Sequence, residues 1–148
     1  MSDKDSAKTA AADATNAWNA KIIEEFHANE GKVGGPFEGF TLLLLHTKGA
    51  RTKANRINPV AYLNDNYKIY VFASKAGSDT DPDWYRNLVA EPNVTVEIGS
   101  ETFAATANTL SGDERERVYA IQAARLPSFA GYQAKTTRVI PVVELVRS

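Results

Sequence analysis

From residue 40 onward the chain is a succession of short apolar or alternating segments cut by turn residues, a spacing that suits small strands rather than long helices. Residues 40–46 (FTLLLLH) form a continuous apolar run of strand length, so both faces of that strand are expected to be buried. Residues 56–63 and 67–73 flank the turn Asn64-Asp65-Asn66 and read as two further strands. The alternating segments VTVEIG, from Val94, and ETFAATA, from Glu101, flank Gly99-Ser100 and predict a hairpin. A last strand is expected over residues 138–146. Between these lie helical segments. Ala14, Trp18, Ile22 and Phe26 recur every fourth residue and predict a helix over residues 13–29, ended by Gly31. Residues 83–90 predict a short helix stopped by Pro92. Ser111 with Glu114 forms a capping-box pattern that opens a helix to Arg125, after which Pro127 breaks it and a short aromatic segment ends near Tyr132. About six strands with three or four peripheral helices make an α+β chain or a small barrel.

The 148 residues suit one core, so residues 13–148 are expected to form a single domain behind a disordered leader over residues 1–12. A net charge of −1 argues against a nucleic-acid binder. With no cysteine, thiolate catalysis, disulfides and cysteine metal sites are excluded. No apolar segment approaches the roughly 20 residues needed to span a bilayer, and a cytoplasmic location is the default reading. The first helix has two readings: docking on the core, or contact with a membrane surface or partner through Trp18 and Phe26. The glycine-rich residues 31–39 lack the G-x-x-x-x-G-K-S/T spacing of a nucleotide loop and read as a connection.

The usual catalytic constellations are missing, with no G-x-S-x-G, H-E-x-x-H or G-x-G-x-x-G. His27 and His46 lie on different elements and read as structural, so no metal is expected. The segment HTKGARTKANRINP stands out. Lys48, Arg51, Lys53 and Arg56 cluster where one strand ends and the next begins, with Gly49 for a tight turn and Thr52 for a hydroxyl. Cations, a hydroxyl and turn N–H groups suit a phosphate, although a solvated basic turn has the same composition. Ala73-Ser74-Lys75-Ala76-Gly77 then adds a hydroxyl and a cation beside glycine. Trp84 and Tyr85, in PDWYRNL, are placed either to cover a planar ring or to pack the core.

In this order the clusters resemble the deazaflavin (F420)-dependent nitroreductases, within the wider deazaflavin and flavin oxidoreductases. The likeness runs through NAKIIEEFHANEGKVGG, LLLLHTKGARTKANRINP, VFASKAG, DPDWYRNLVAEPNVTVE, GDERERVYA and TTRVIPVVEL, nearly the whole chain. It implies an FMN-binding-like split β-barrel and coenzyme F420, an 8-hydroxy-5-deazaflavin with a phosphate and an acidic polyglutamate tail. It further implies that Ala50, Arg51, Thr52 and Arg56 contact the phosphate region, that Ala73, Ser74 and Lys75 line the coenzyme, and that Trp84, Tyr85 and Asn87 complete its pocket. Lys53 departs from the pattern, standing where many relatives have glycine. The implied activity is hydride transfer from reduced F420 to an enone, quinone or nitro compound. Phe129 and Tyr132 are the expected substrate contacts, and Tyr132 and Ser74 the catalytic candidates. Phe129 replaces a hydroxyl-bearing residue of the nitroreductase-type relatives, which leaves Tyr132 as the donor to developing negative charge. Core packing of Phe129 and Tyr132 is the competing reading. Two other functions share these residues: a non-catalytic F420-storage protein and an FMN-dependent oxidoreductase.

Overall fold

The computed structural model describes residues 19–32 and 41–148. Strands β1 (Leu42–Lys48), β2 (Asn55–Asp65), β3 (Lys68–Phe72), β4 (Asn93–Ile98), β5 (Glu101–Thr109) and β6 (Val142–Arg147) close into a barrel in the order β1-β2-β3-β6-β5-β4. Every neighbouring pair is antiparallel. Around it lie helices α1, described over residues 19–28, α2 (Asp83–Ala90), α3 (Gly112–Arg125) and α4 (Ser128–Lys135). The expected leader, Ala14 and Trp18, most of the glycine-rich connection and Phe40 lie outside the described residues.

Side chains alternate across each strand, and here both faces are covered. Leu43 and Leu45 of β1, Val71 of β3, Val94 and Val96 of β4, and Val143 and Leu145 of β6 share one buried cluster with Trp84 and Leu88 of α2. Because every strand contributes to that cluster, it fills the barrel. The opposite faces of β3 and β6 carry Tyr70, Phe72 and Val142, which join Val118, Tyr119 and Phe129 beneath α3 and α4. Two-sided burial is why β1 reads as a run of leucines rather than as an alternation.

Several boundaries differ from expectation for identifiable reasons. Asn64 and Asp65 look like turn formers, yet they pair with Ile69 and Lys68, and the turn is Asn66-Tyr67. Both residues have positive φ, 54° and 68°, as a two-residue hairpin of this hand requires. Ser111 sits at the start of α3 but makes no side-chain capping bond, so the capping box is not formed. The aromatic segment after Pro127 is helix α4, because a proline breaks one helix while suiting the start of the next. Strand β6 begins only at Val142, since the backbone of Ile140 is taken up by the side chains of Arg115 and Gln133.

Helix α1 turns Ile22 and Phe26 inward, with Phe26 fully buried, so these two residues dock on the fold. Gly31 closes the helix by donating to the Phe26 carbonyl (2.8 Å). One polar tie fixes α1 to the barrel: Glu97 of β4 lies between His27 Nε2 (2.9 Å) and His46 Nε2 (2.5 Å). Burial pushes the Glu97 carboxyl up, but the hydrogen bonds and charge of His46 and His27 outweigh it and hold its pKa below the ordinary value. A depressed carboxylate stabilises the fold above its unfolded pKa and loses that contribution as pH falls through the folded value. Urea midpoints are therefore expected to fall between about pH 5 and pH 3 in the parent and to fall less steeply in Glu97→Gln. Equal acid slopes would show that this tie does not contribute.

Candidate functional site

A pocket of about 320 Å³ opens where the barrel meets α2 and α4. Leu42, Pro59, Val60 and Phe72 from the strands, Trp84 from α2 and Phe129 from α4 make its walls apolar. Ser74, Lys75 and Tyr132 supply its polar groups. A mainly apolar concavity with a few placed polar groups is the usual form of a small-molecule site.

The hydroxyls of Ser74 and Tyr132 both belong to pocket-lining residues, and neither has a hydrogen-bond partner among the described residues. Ser74 leads into a tight 3₁₀ turn, Lys75–Gly77, in which Lys75 (φ 46°) and Gly77 (φ 81°) are left-handed. A Cβ on Gly77 would lie 2.8 Å from the Tyr132 carbonyl oxygen, so glycine is needed where the turn presses on α4. The Lys75 ammonium donates to Thr80 Oγ1 (3.1 Å). Ala73, expected to line the coenzyme, is fully buried and not among the residues lining this pocket, its N–H donating to the Pro141 carbonyl and its carbonyl accepting from Arg138.

Phe129 resolves the choice between core and pocket by serving both. It is 3% exposed, with its ring edge-on to Phe72 (5.6 Å between centroids) and tilted against Tyr132 (5.2 Å). Its carbonyl accepts from the Tyr119 hydroxyl, which burial pushes above the usual tyrosine range against the opposing charge of Arg115. Trp84 likewise belongs to the barrel core and lines the pocket, while Tyr85 stands edge-on beside it and is half-buried.

The basic turn lies farther along the same strand. Arg56 is three residues from Pro59 on β2, roughly 10 Å at strand rise. Lys48, Arg51, Lys53 and Arg56 are exposed and make no ion pair among the described residues. Two expected phosphate contacts are instead engaged within the protein. The Ala50 N–H donates to Asn87 Oδ1 (3.0 Å), and Thr52 Oγ1 accepts from the Ala54 N–H (3.2 Å). Asn87 also donates to Thr47 Oγ1 (3.2 Å), so both ends of its amide hold the turn to α2. Lys53 has φ 61°, the left-handed conformation that glycine adopts without strain.

Sequence reasoning missed Arg138, a mostly buried arginine that donates to the carbonyls flanking Ser74. The available signal was a single cation opening the mostly apolar run RVIPVVELV.

The family model described as F420H(2)-dependent quinone reductase matches residues 18–146 of the chain. The chain belongs to that family. An F420H(2)-dependent quinone reductase of Mycobacterium tuberculosis is 33% identical over 126 residues, covering 82% of this chain and 85% of the relative. A solved F420-H2 dependent reductase (FDR-A) superposes with a TM-score of 0.65 at 36% identity, over 70% of this chain and 92% of its own. A second structure, described as a domain-swapped dimer, gives a TM-score of 0.67 at 30% identity, covering 88% and 98%. Membership of this F420H2-dependent quinone reductase family makes the barrel a split β-barrel of the flavin and deazaflavin oxidoreductases, and the protein an F420-dependent oxidoreductase.

Proposed function

We propose that the protein reduces quinones with F420H2, binding the deazaflavin ring in the apolar pocket and the phosphate and acidic tail along the basic turn. The observation that carries this reading is the alignment of the two features on β2: an apolar pocket edged by two hydroxyls with no partner among the described residues, and Arg56 of the exposed basic turn about 10 Å along the strand. The residues present fit such a coenzyme in an apolar cavity of about the size of its ring, in an aromatic lining that includes Trp84, and in charge. When bound, F420H2 supplies the hydride, which removes the need for a catalytic triad. Trp84 and Phe129 exclude water and orient the ring, Arg51 and Arg56 hold the anionic groups, and Lys75 lies at the pocket edge. In this reading Ser74 and Tyr132 donate to the oxygen on which negative charge develops. Ala50, Thr52 and Asn87 act one step back, shaping the turn. Quinones and enones are favoured over bulky nitroimidazoles, since Phe129 offers no hydroxyl.

The competing storage reading needs the same binding residues and does not account for two hydroxyls beside the ring site that have no partner among the described residues. A cytoplasmic location is part of the proposal, and the cysteine-free composition is compatible with it. Among the described residues no helix is long and apolar enough to cross a membrane. Contact of α1 with a membrane surface is a secondary proposal, restricted by the burial of Ile22 and Phe26.

The test is loss of the F420H2 absorbance on mixing with a soluble naphthoquinone, and no oxidation above background would overturn the assignment. F420 is expected to bind more tightly than flavin mononucleotide, and its affinity to fall as salt rises. Arg56→Ala and Lys75→Ala are each expected to weaken binding about three- to tenfold, exposed charges being partly screened. Equal or tighter flavin binding, or unchanged affinity in both variants, would show the basic clusters to be solvated surface.

A further inference from the structure

Ser74 and Tyr132 come from elements far apart in sequence, and Arg138 bonds to both elements. The Arg138 guanidinium donates from Nη2 to the carbonyls of Ala73 (3.1 Å) and Ser74 (2.9 Å), from Nε to that of Ser78 (2.7 Å), and from Nη1 to Asp81 Oδ1 (3.0 Å). It therefore grips the Ser74 turn on both sides of the left-handed residues Lys75 and Gly77. Its own carbonyl accepts from Gln133 Nε2 (2.8 Å), and Gln133 is the neighbour of Tyr132 on α4. Gln133 is fixed in turn, its Oε1 accepting from the Ile140 N–H (3.1 Å) and from Arg115 Nη2 (2.6 Å). A second link runs in parallel, from Thr136 Oγ1 to Asp79 Oδ1 (2.8 Å).

We propose that Arg138 is a positioning residue that locks the Ser74 turn to helix α4 and so holds the Ser74 and Tyr132 hydroxyls in register across the pocket. Its relevance to turnover rests on the quinone-reductase reading above. Left-handed conformations at non-glycine residues are costly and persist only where the surroundings impose them, and here the guanidinium fork supplies the restraint. Lysine keeps the charge but lacks the planar fork, so it cannot serve three carbonyls and a carboxylate at once. The ion pair with Asp81 and the carbonyl partners offset the cost of burying the charge, which lets a cation sit mostly out of water.

The test uses the full chain with Arg138→Lys and Arg138→Met, and Arg138→Lys carries it alone should the methionine variant fail to fold. The first readout is hydrogen exchange in the coenzyme-free protein at the Gly77 and Ser78 amides, which bond back to the Ser74 and Lys75 carbonyls. These amides are expected to exchange at least about tenfold faster in the variants, with protection in the β4–β5 hairpin unchanged, because such openings are local. The second readout is kinetic. Turnover with saturating F420H2 and naphthoquinone is expected to fall on the order of 100-fold, while the KM for F420H2 stays within about threefold, as for misplaced rather than missing groups. Phe26→Ala, which destabilises α1 away from the pocket, is the control and should leave turnover intact below its melting temperature. Exchange at Gly77 and Ser78 that is unchanged, or that accelerates uniformly through the barrel, overturns the proposal. So does a kinetic loss confined to KM. A parent protein that fails to oxidise F420H2 sinks the functional reading instead, and the exchange pattern then decides by itself whether Arg138 sets the turn.

Discussion

Tyr132→Phe is expected to lower quinone turnover on the order of 100-fold while leaving F420 affinity within about threefold. The substitution removes one oxygen and keeps the ring, so the tilted contact with Phe129 and the apolar wall survive. What it removes is a hydroxyl with no hydrogen-bond partner among the described residues, on a residue lining the cavity. Hydride arrival at a quinone places negative charge on a quinone oxygen, and a donor aimed at that oxygen acts mainly in the transition state. Loss of one such donor typically costs 100- to 1,000-fold, and we expect roughly the lower figure because Ser74 offers a second. Ser74→Ala alone should cost less, and the double variant should depart from additivity, since both donors serve one oxygen. Turnover and KM would be measured by F420H2 absorbance across a naphthoquinone series. Undiminished turnover in Tyr132→Phe would return Tyr132 to a packing role. A large rise in the KM for F420H2 with turnover retained would instead make it a coenzyme contact.

The parts of this molecule that were legible in the sequence are those governed by local chemistry. The four leucines of β1 announce a strand buried on both faces, and all four are buried, Leu43 and Leu45 within the cluster that fills the barrel. Helix α2 spans Asp83–Ala90 as read, because Pro82 and Pro92 bracket it. The Ser74 turn and the basic turn were also visible as short strings of glycine, hydroxyl and cation. Less legible was what depends on distant partners. A motif cannot show which way a polar side chain faces, so Asn87 read as a pocket residue although its amide is spent on Ala50 and Thr47. Arg138 acts on carbonyls some 60 positions away in the chain, a relation that neither periodicity nor spacing encodes. Pro127 was read as an end when it is equally a beginning, and α4, which carries Phe129 and Tyr132 into the pocket, was missed as a helix for that reason.

Trp84→Ala is expected to have the largest effect on stability, about 3–5 kcal/mol, together with loss of coenzyme binding. Trp84 is 8% exposed and belongs to the cluster that fills the barrel, so truncation leaves a cavity beside Leu88 and the inward-facing strand residues. It also removes one wall of the pocket. Its place on α2 adds a third consequence. Asn87 follows one helical turn later and holds the Ala50 N–H, so a shift of α2 into the cavity would carry the basic turn with it. Ring wall and anion site are thus expected to fail together, although about 10 Å separates Arg56 from the strand lining of the pocket. Trp84→Phe separates packing from stacking: it restores most of the buried volume and should recover more than half of the stability, but it offers the coenzyme a smaller plane. Urea midpoints, with F420 titrations performed where each variant remains folded, measure the two effects. A loss below about 1 kcal/mol in Trp84→Ala would remove the residue from the core, since truncating a large buried aromatic costs several times that. Undiminished F420 affinity in the folded alanine variant would mean that Trp84 supports the barrel without touching the ring, and that the planar wall of the site must be sought in Tyr85 or Phe129.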